Sequence, residues 1–110
     1  MSEIRDLQAR ILRFRDERDW AQFHTPKDLA MSLNIEAAEL LELYLWKGSE
    51  DADVGRVREE LADVLYAALL LAAHYQIDVH SAVVDKLALN ARKYPVETSR
   101  GSNKKGSEPG

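Results

Sequence analysis

Cysteine is absent from the 110-residue chain. Its absence excludes disulfides, thiolate metal sites and cysteine nucleophiles, and fits a reducing compartment. Long apolar runs are missing as well. The longest, Val64 to Ala73, holds ten residues, about half of what a bilayer span requires. The segment Met1-Ser2-Glu3-Ile4-Arg5-Asp6 has no apolar signal core. These features lead to the expectation of a soluble, cytoplasmic protein with no membrane partner. A basic excess is lacking too: 15 Lys+Arg stand against 19 Asp+Glu, for a formal charge of −4. A general binder of nucleic-acid polymers needs a basic face to neutralise phosphates, so that class is set aside. Glycine and proline number only five and three, and Gly101, Gly106, Pro109 and Gly110 lie in the last ten residues. Pro26, Gly48, Gly55 and Pro95 are thus the only punctuation of the remainder.

What the chain does contain is typical of a globular domain: 45% aliphatic and aromatic residues and 31% charged residues. Its length allows one domain, and a body this small exposes enough apolar surface to favour binding of another copy. Residues 96–110 hold little that could be buried, and the reading is a domain over 1–95 followed by a disordered polar tail. The tail's three cations and two anions leave the acidic excess in the body.

The body reads as helix throughout, with no period-two strand pattern. Ile4, Leu7, Ile11 and Phe14 form an amphipathic stripe of a first helix over 2–18. Thr25-Pro26 is an N-cap followed by proline at the first helical position. It starts a second helix carrying Leu29, Leu33, Ala37, Leu40, Leu41 and Tyr44 as a buried stripe until Gly48. Asp53 caps a third helix, apolar nearly all round in its second half, and Asp78 caps a fourth that Pro95 stops. Four helices with short connections predict an all-α fold, a four-helix antiparallel bundle.

Two acidic pairs stand out. Glu36 and Glu39 lie three apart on the second helix, and Glu60 and Asp63 repeat the spacing on the third. Residues three apart share a helix face, and helices packed about 8–10 Å apart would let the four carboxylates converge. Hard oxygen donors suit Mg²⁺ or Mn²⁺ rather than Zn²⁺. Spacing alone leaves two readings open, a metal site and structural salt bridges, because ten Glu and nine Asp produce such pairs by chance. Adjacency to apolar positions matters here, since an unpaired carboxylate beside a core is costly. A di-iron carboxylate bundle would need Glu-x-x-His pairs, and His24, His74 and His80 all miss that register. Tyr66, three residues after Asp63, either reaches the same cluster or is simply packed.

The pattern Glu36-x-x-Glu39, twenty intervening residues, then Glu60-x-x-Asp63 resembles the metal-binding signature of the MazG-like superfamily of all-α nucleoside triphosphate pyrophosphohydrolases. Further segments are similar to its dCTP pyrophosphatase branch: Arg18-Asp19-Trp20, Phe23-His24-x-Pro26, Trp46-Lys47, Glu59-Glu60-Leu-Ala-Asp63-Val-Leu and Lys86-x-x-x-Asn90-x-Arg92-Lys93-Tyr94-Pro95. They cover roughly residues 15–95 in order.

This resemblance implies Mg²⁺-dependent cleavage of a (deoxy)nucleoside triphosphate, dCTP or a modified pyrimidine relative, to monophosphate and pyrophosphate. Mn²⁺ is a possible substitute. It implies Glu36, Glu39, Glu60 and Asp63 as metal ligands and catalytic groups. For the substrate it implies Trp20 and Trp46 around the base and His24 on base or phosphate. Lys86, Asn90, Lys93 and Tyr94 would lie at phosphate and sugar, and Lys47 beside Trp46. It also implies a homo-oligomer, a dimer or a dimer of dimers (a tetramer), and a thin domain suggests a pocket completed by a second subunit. Two alternatives remain at this point: a non-catalytic helical dimerisation module, and a dUTPase-like relative that also accepts diphosphates.

Overall fold

The computed structural model describes residues 3–102. It is all-helical, with helices α1 (Glu3–Glu17), α2 (Pro26–Glu42), α3 (Val54–His74), α4 (Val79–Lys93) and a single turn α5 (Val96–Ser99). The chain divides into two compact units, one running through Ile77 and one beginning at Asp78. Residues 103–110 of the polar tail lie outside the described residues, while 96–99 form α5.

Local chemistry sets most helix boundaries. Thr25 Oγ1 accepts from Asp28 N at 3.1 Å and donates to the Asp28 carboxylate at 2.8 Å, with Pro26 at the first helical position of α2. Asp53 accepts from Gly55 N at 2.9 Å to cap α3, and Asp78 accepts from Ser81 N at 3.0 Å to cap α4. All three caps fall where the sequence predicts them.

The end of α2 differs. The helix stops at Glu42, not Gly48: Leu43, Tyr44 and Leu45 donate to carbonyls three residues back, and Trp46 takes a left-handed φ of 64°. That conformation is rare for a bulky residue and breaks the helical path before the glycine.

In the first unit, α1 and α2 each pack against α3. Leu29 and Ser32 of α2 share a cleft wall with Ala67 and Leu70 of α3, while Glu36 meets Glu60 and Asp63. As α2 advances its partners on α3 recede, so the two run antiparallel. The core comprises Leu29, Leu43, Ala67, Leu69, Leu70 and Ala72.

The predicted stripe of α2 requires correction. Ala37 and Leu41 are exposed, and the inward face is Leu29, Leu33, Glu36, Leu40 and Leu43, at spacings of 4, 3, 4 and 3. Glu36 occupies a position where that seam would ordinarily hold a leucine. On α3, Val57, Glu60, Val64 and Ala67 follow the matching spacing and are likewise partly or fully buried. Helix α1 buries no residue completely, and Gln8 ties it to α3 by donating to the Leu69 carbonyl at 2.9 Å.

In the second unit α4 carries Val83, Val84, Leu87 and Leu89 all exposed. Among the described residues, no single helix is long and apolar enough to cross a membrane.

Leu70 is 2% exposed, so Leu70→Ala should lower the unfolding free energy by about 2–5 kcal/mol in urea titration. A loss below about 1 kcal/mol would show that the α2–α3 seam is not packed as described.

Candidate active site

The seam that buries Leu29 and Leu70 also draws carboxylates together. Glu36 from α2 and Glu60 and Asp63 from α3 present oxygens that all lie within 4.8 Å of one another. Glu39, one turn beyond Glu36, is outside this triad but close enough for a side-chain hydrogen bond with both Glu36 and Glu60.

The electrostatic cost is visible in the titration of these groups. Burial pushes the Glu36 carboxyl from 4.5 up to about 7, assisted by the hydrogen bond with Glu39 and by repulsion from Glu39, Asp63 and Glu60. Glu60 is raised too, first by burial and then by the charge of Glu39. Glu36 Oε2 and Glu60 Oε2 are buried with no hydrogen-bond partner among the described residues.

Half-buried Glu36 and Glu60, each repelled by its acidic neighbours and each leaving one oxygen unpaired among the described residues, do not form a salt-bridge network with exposed Asp63. An all-oxygen donor set with two orphaned oxygens fits a hard divalent cation. This geometry favours a metal site over the structural salt bridges that spacing alone left open.

Clefts flank the cluster on two sides. One, of about 200 Å³, is bordered by His24, Leu29, Ser32, Glu36, Asp63, Tyr66, Ala67 and Leu70. The other, of about 490 Å³, is bordered by Arg10, Ile11, Phe14, Trp20, Asp63 and Tyr66. An apolar groove of about 270 Å³ formed by Leu7, Ile11, Ala62, Leu65, Tyr66 and Leu69 lies alongside.

Trp20 reaches its cleft through the reversal at the end of α1. Trp20 N donates to Arg15 O at 3.1 Å and Asp19 N to Asp16 O at 3.1 Å, with Asp19 left-handed at φ 53°. This is a Schellman closure in which aspartate stands where glycine is usual. Gln22 steadies Asp19 by donating to its carboxylate at 3.0 Å. The turn lays Trp20 edge-on to Phe14 at 5.8 Å, and Arg18 stacks over the Phe14 ring at 3.7 Å.

The motif residues therefore separate into groups. Glu36, Glu60 and Asp63 converge with Glu39 beside them, His24 borders the cleft that Glu36 and Asp63 share, and Trp20 borders the cleft on which Asp63 also lies; His24 Nδ1 is buried with no hydrogen-bond partner among the described residues. Trp46 and Lys47 follow α2, both exposed and bordering none of the three clefts; Trp46 is completely exposed. Lys86, Asn90, Lys93 and Tyr94 belong to the second unit, spaced on one face of α4 and its cap. Tyr94 N donates to Asn90 O at 2.7 Å, and Lys93 Nζ lies 5.5 Å from the Tyr94 ring centroid. Phe14, Ser32 and Tyr66 border the site without belonging to the motif set; Tyr66 gave a signal only through its spacing from Asp63.

These features define an all-α protein whose helix seam is built around a carboxylate cluster able to hold a metal ion. The sequence matches the MazG-like family over residues 31–108. It is 40% identical over 110 residues to dCTP pyrophosphatase 1 of Bos taurus, covering 93% of this chain and 63% of that protein. Against dCTP pyrophosphatase 1 of Homo sapiens it is 38% identical over 116 residues, covering 98% and 66%. The chain thus spans just under two thirds of the length of these curated relatives. A crystal structure of a pyrophosphatase from Archaeoglobus fulgidus superposes with a TM-score of 0.80 at 41% identity, covering 86% of this chain and 94% of that one. The chain belongs to the MazG-like family.

The raised Glu36 carboxyl gives a pH dependence of defined sign. Its folded value of about 7 exceeds the ordinary 4.5, so its stabilising contribution is complete below 4.5 and is lost as pH rises through 7. In thermal melts without divalent metal, wild type should lose stability across pH 4.5–7 more steeply than Glu36→Gln. Identical slopes for the two proteins would contradict the burial described.

Proposed function

We propose that the protein is a Mg²⁺-dependent nucleotide pyrophosphohydrolase that cleaves a (deoxy)nucleoside triphosphate, dCTP or a modified pyrimidine relative, to monophosphate and pyrophosphate. The observation that carries this reading is the convergence of Glu36, Glu60 and Asp63 from two helices beside a cleft walled by Trp20 and Phe14. Family membership and the names of the relatives support it. Residues 1–95 form the working domain in this reading, the tail from 96 takes no part, and the reaction belongs in the cytoplasm.

Glu36, Glu39, Glu60 and Asp63 would hold Mg²⁺, with Mn²⁺ as a substitute. When bound, the cation neutralises phosphate charge and lowers the pKa of attacking water. One carboxylate of the cluster takes the proton from that water as general base. Trp20 offers its ring to the base, since an indole stacks on any heterocycle. His24 supplies a hydrogen bond to phosphate or base.

Lys86, Asn90, Lys93 and Tyr94 bind phosphate and sugar, and Trp46 with Lys47, which border none of the clefts of their own chain, complete the base pocket of a second subunit. The substrate reaches an acidic chain through these cations and the metal. Assembly as a dimer or dimer of dimers is supported by the exposed apolar side chains of α4 and by exposed Leu41 and Trp46, which a second copy would cover.

The test is a panel of nucleoside tri- and diphosphates incubated with Mg²⁺, with products identified. Monophosphate and pyrophosphate should form only with divalent metal. Asp63→Asn and Glu36→Gln should reduce kcat/KM by at least about a hundredfold, in keeping with several kcal/mol of charge stabilisation. Cleavage of diphosphates with equal ease would favour a dUTPase-like activity, and no turnover at all would favour an interaction module.

A further inference from the structure

Tyr66 stands outside the motif set, yet it borders the aromatic cleft, the carboxylate cleft and the apolar groove alike. Its Oη is buried and has no hydrogen-bond partner among the described residues. A hydroxyl taken from water without a partner is destabilising, and such a group calls for a reason to persist. Completion by a ligand is one that its position supplies.

The surroundings fix what Tyr66 can do. Burial raises its pKa above the ordinary phenol value, with a smaller opposing pull from Arg15 and Arg18. The hydroxyl therefore keeps its proton near neutral pH and can donate. Its ring is edge-on to Phe14 at 6.4 Å, and Phe14 is edge-on to Trp20 at 5.8 Å. Three rings thus border one cleft. The other polar residues bordering it are Arg10, which is exposed, and Asp63, which belongs to the carboxylate cluster. A flat heterocycle in this cleft meets aromatic surface for stacking and one buried neutral donor.

We propose that the Tyr66 hydroxyl donates a hydrogen bond to an acceptor atom of the nucleobase held in the aromatic cleft, which makes Tyr66 a specificity-determining residue. The inference rests on the nucleotide reading above and names a contact within that site. Tyr66 lies one turn beyond Asp63 on the same face of α3. The bond consequently sets the spacing between the base and the carboxylates that face the phosphates. A heterocycle without an acceptor at that point leaves the hydroxyl unpaired, and an unpaired buried donor is what gives such a site its discrimination.

Tyr66→Phe removes the hydroxyl and keeps the ring. On the triphosphate that wild type turns over fastest, the variant should raise KM about three- to tenfold, the value of one hydrogen bond, and leave kcat within about twofold. Competitive inhibition by the corresponding nucleoside monophosphate should weaken by the same factor, and inhibition by inorganic triphosphate should not change. The melting temperature of the ligand-free variant should equal or exceed that of wild type, because an unpaired group has been removed.

An unchanged KM overturns the proposal. Equal weakening of inorganic triphosphate overturns it as well, since the acceptor would then be on phosphate. A lowered melting temperature accompanying the KM change assigns the hydroxyl a structural role instead. Wild type with no Mg²⁺-dependent turnover overturns the nucleotide reading and this contact with it, whereas an active wild type matched by the variant overturns the contact alone.

Discussion

Carboxylates at seam positions between α2 and α3 are the constraint on which the rest of the site depends. Glu36 and Glu60 follow the same spacing as Leu29, Leu40, Val57 and Ala67, so the packing that forms the core also presses their charges together. Burial of like charges is unfavourable in the absence of a counter-ion. The raised Glu36 carboxyl and the two orphaned oxygens are the two forms this conflict takes. A fold that retains such an arrangement trades stability for binding capacity, as functional sites commonly do.

The aromatic side of the site depends on a different device. Helix α1 ends in a left-handed Asp19, and this reversal returns Trp20 against Phe14 and brings the ring row up to Tyr66. Because Asp63 and Tyr66 border both clefts, the carboxylate cluster and the aromatic wall share one stretch of α3. A ligand carrying both a ring and an anionic group would be read along a single helix. That arrangement asks for positional precision from α3, which the Gln8 bond to the Leu69 carbonyl and the burial of Leu69 and Leu70 supply.

Much of this was legible in the chain itself, where local chemistry decides. Thr25, Asp53 and Asp78 announce helix starts because a side-chain oxygen and an unpaired backbone N–H lie within three residues of one another. The acidic quartet was legible through its i, i+3 spacing. The face of α2 was not: apolar pattern favours burying Leu41 and Ala37, and only packing against α3 turns Glu36 inward instead. The early end of α2 was hidden because Trp46, not a glycine, adopts the left-handed turn. Whether the Tyr66 hydroxyl is paired depends on α1 meeting α3, which no local pattern encodes.

In the proposed reading the seam carboxylates form a divalent-cation site whose occupancy displaces a proton from Glu36. Calorimetric titration of Mn²⁺ into the metal-free protein at pH 6.5, repeated in buffers of different ionisation heat, tests it most directly. Saturable binding is expected, with proton release that disappears near pH 8.5 and is reduced in Glu36→Gln, where the raised Glu60 carboxyl remains. Binding without proton release at pH 6.5, or no binding by wild type, would contradict it.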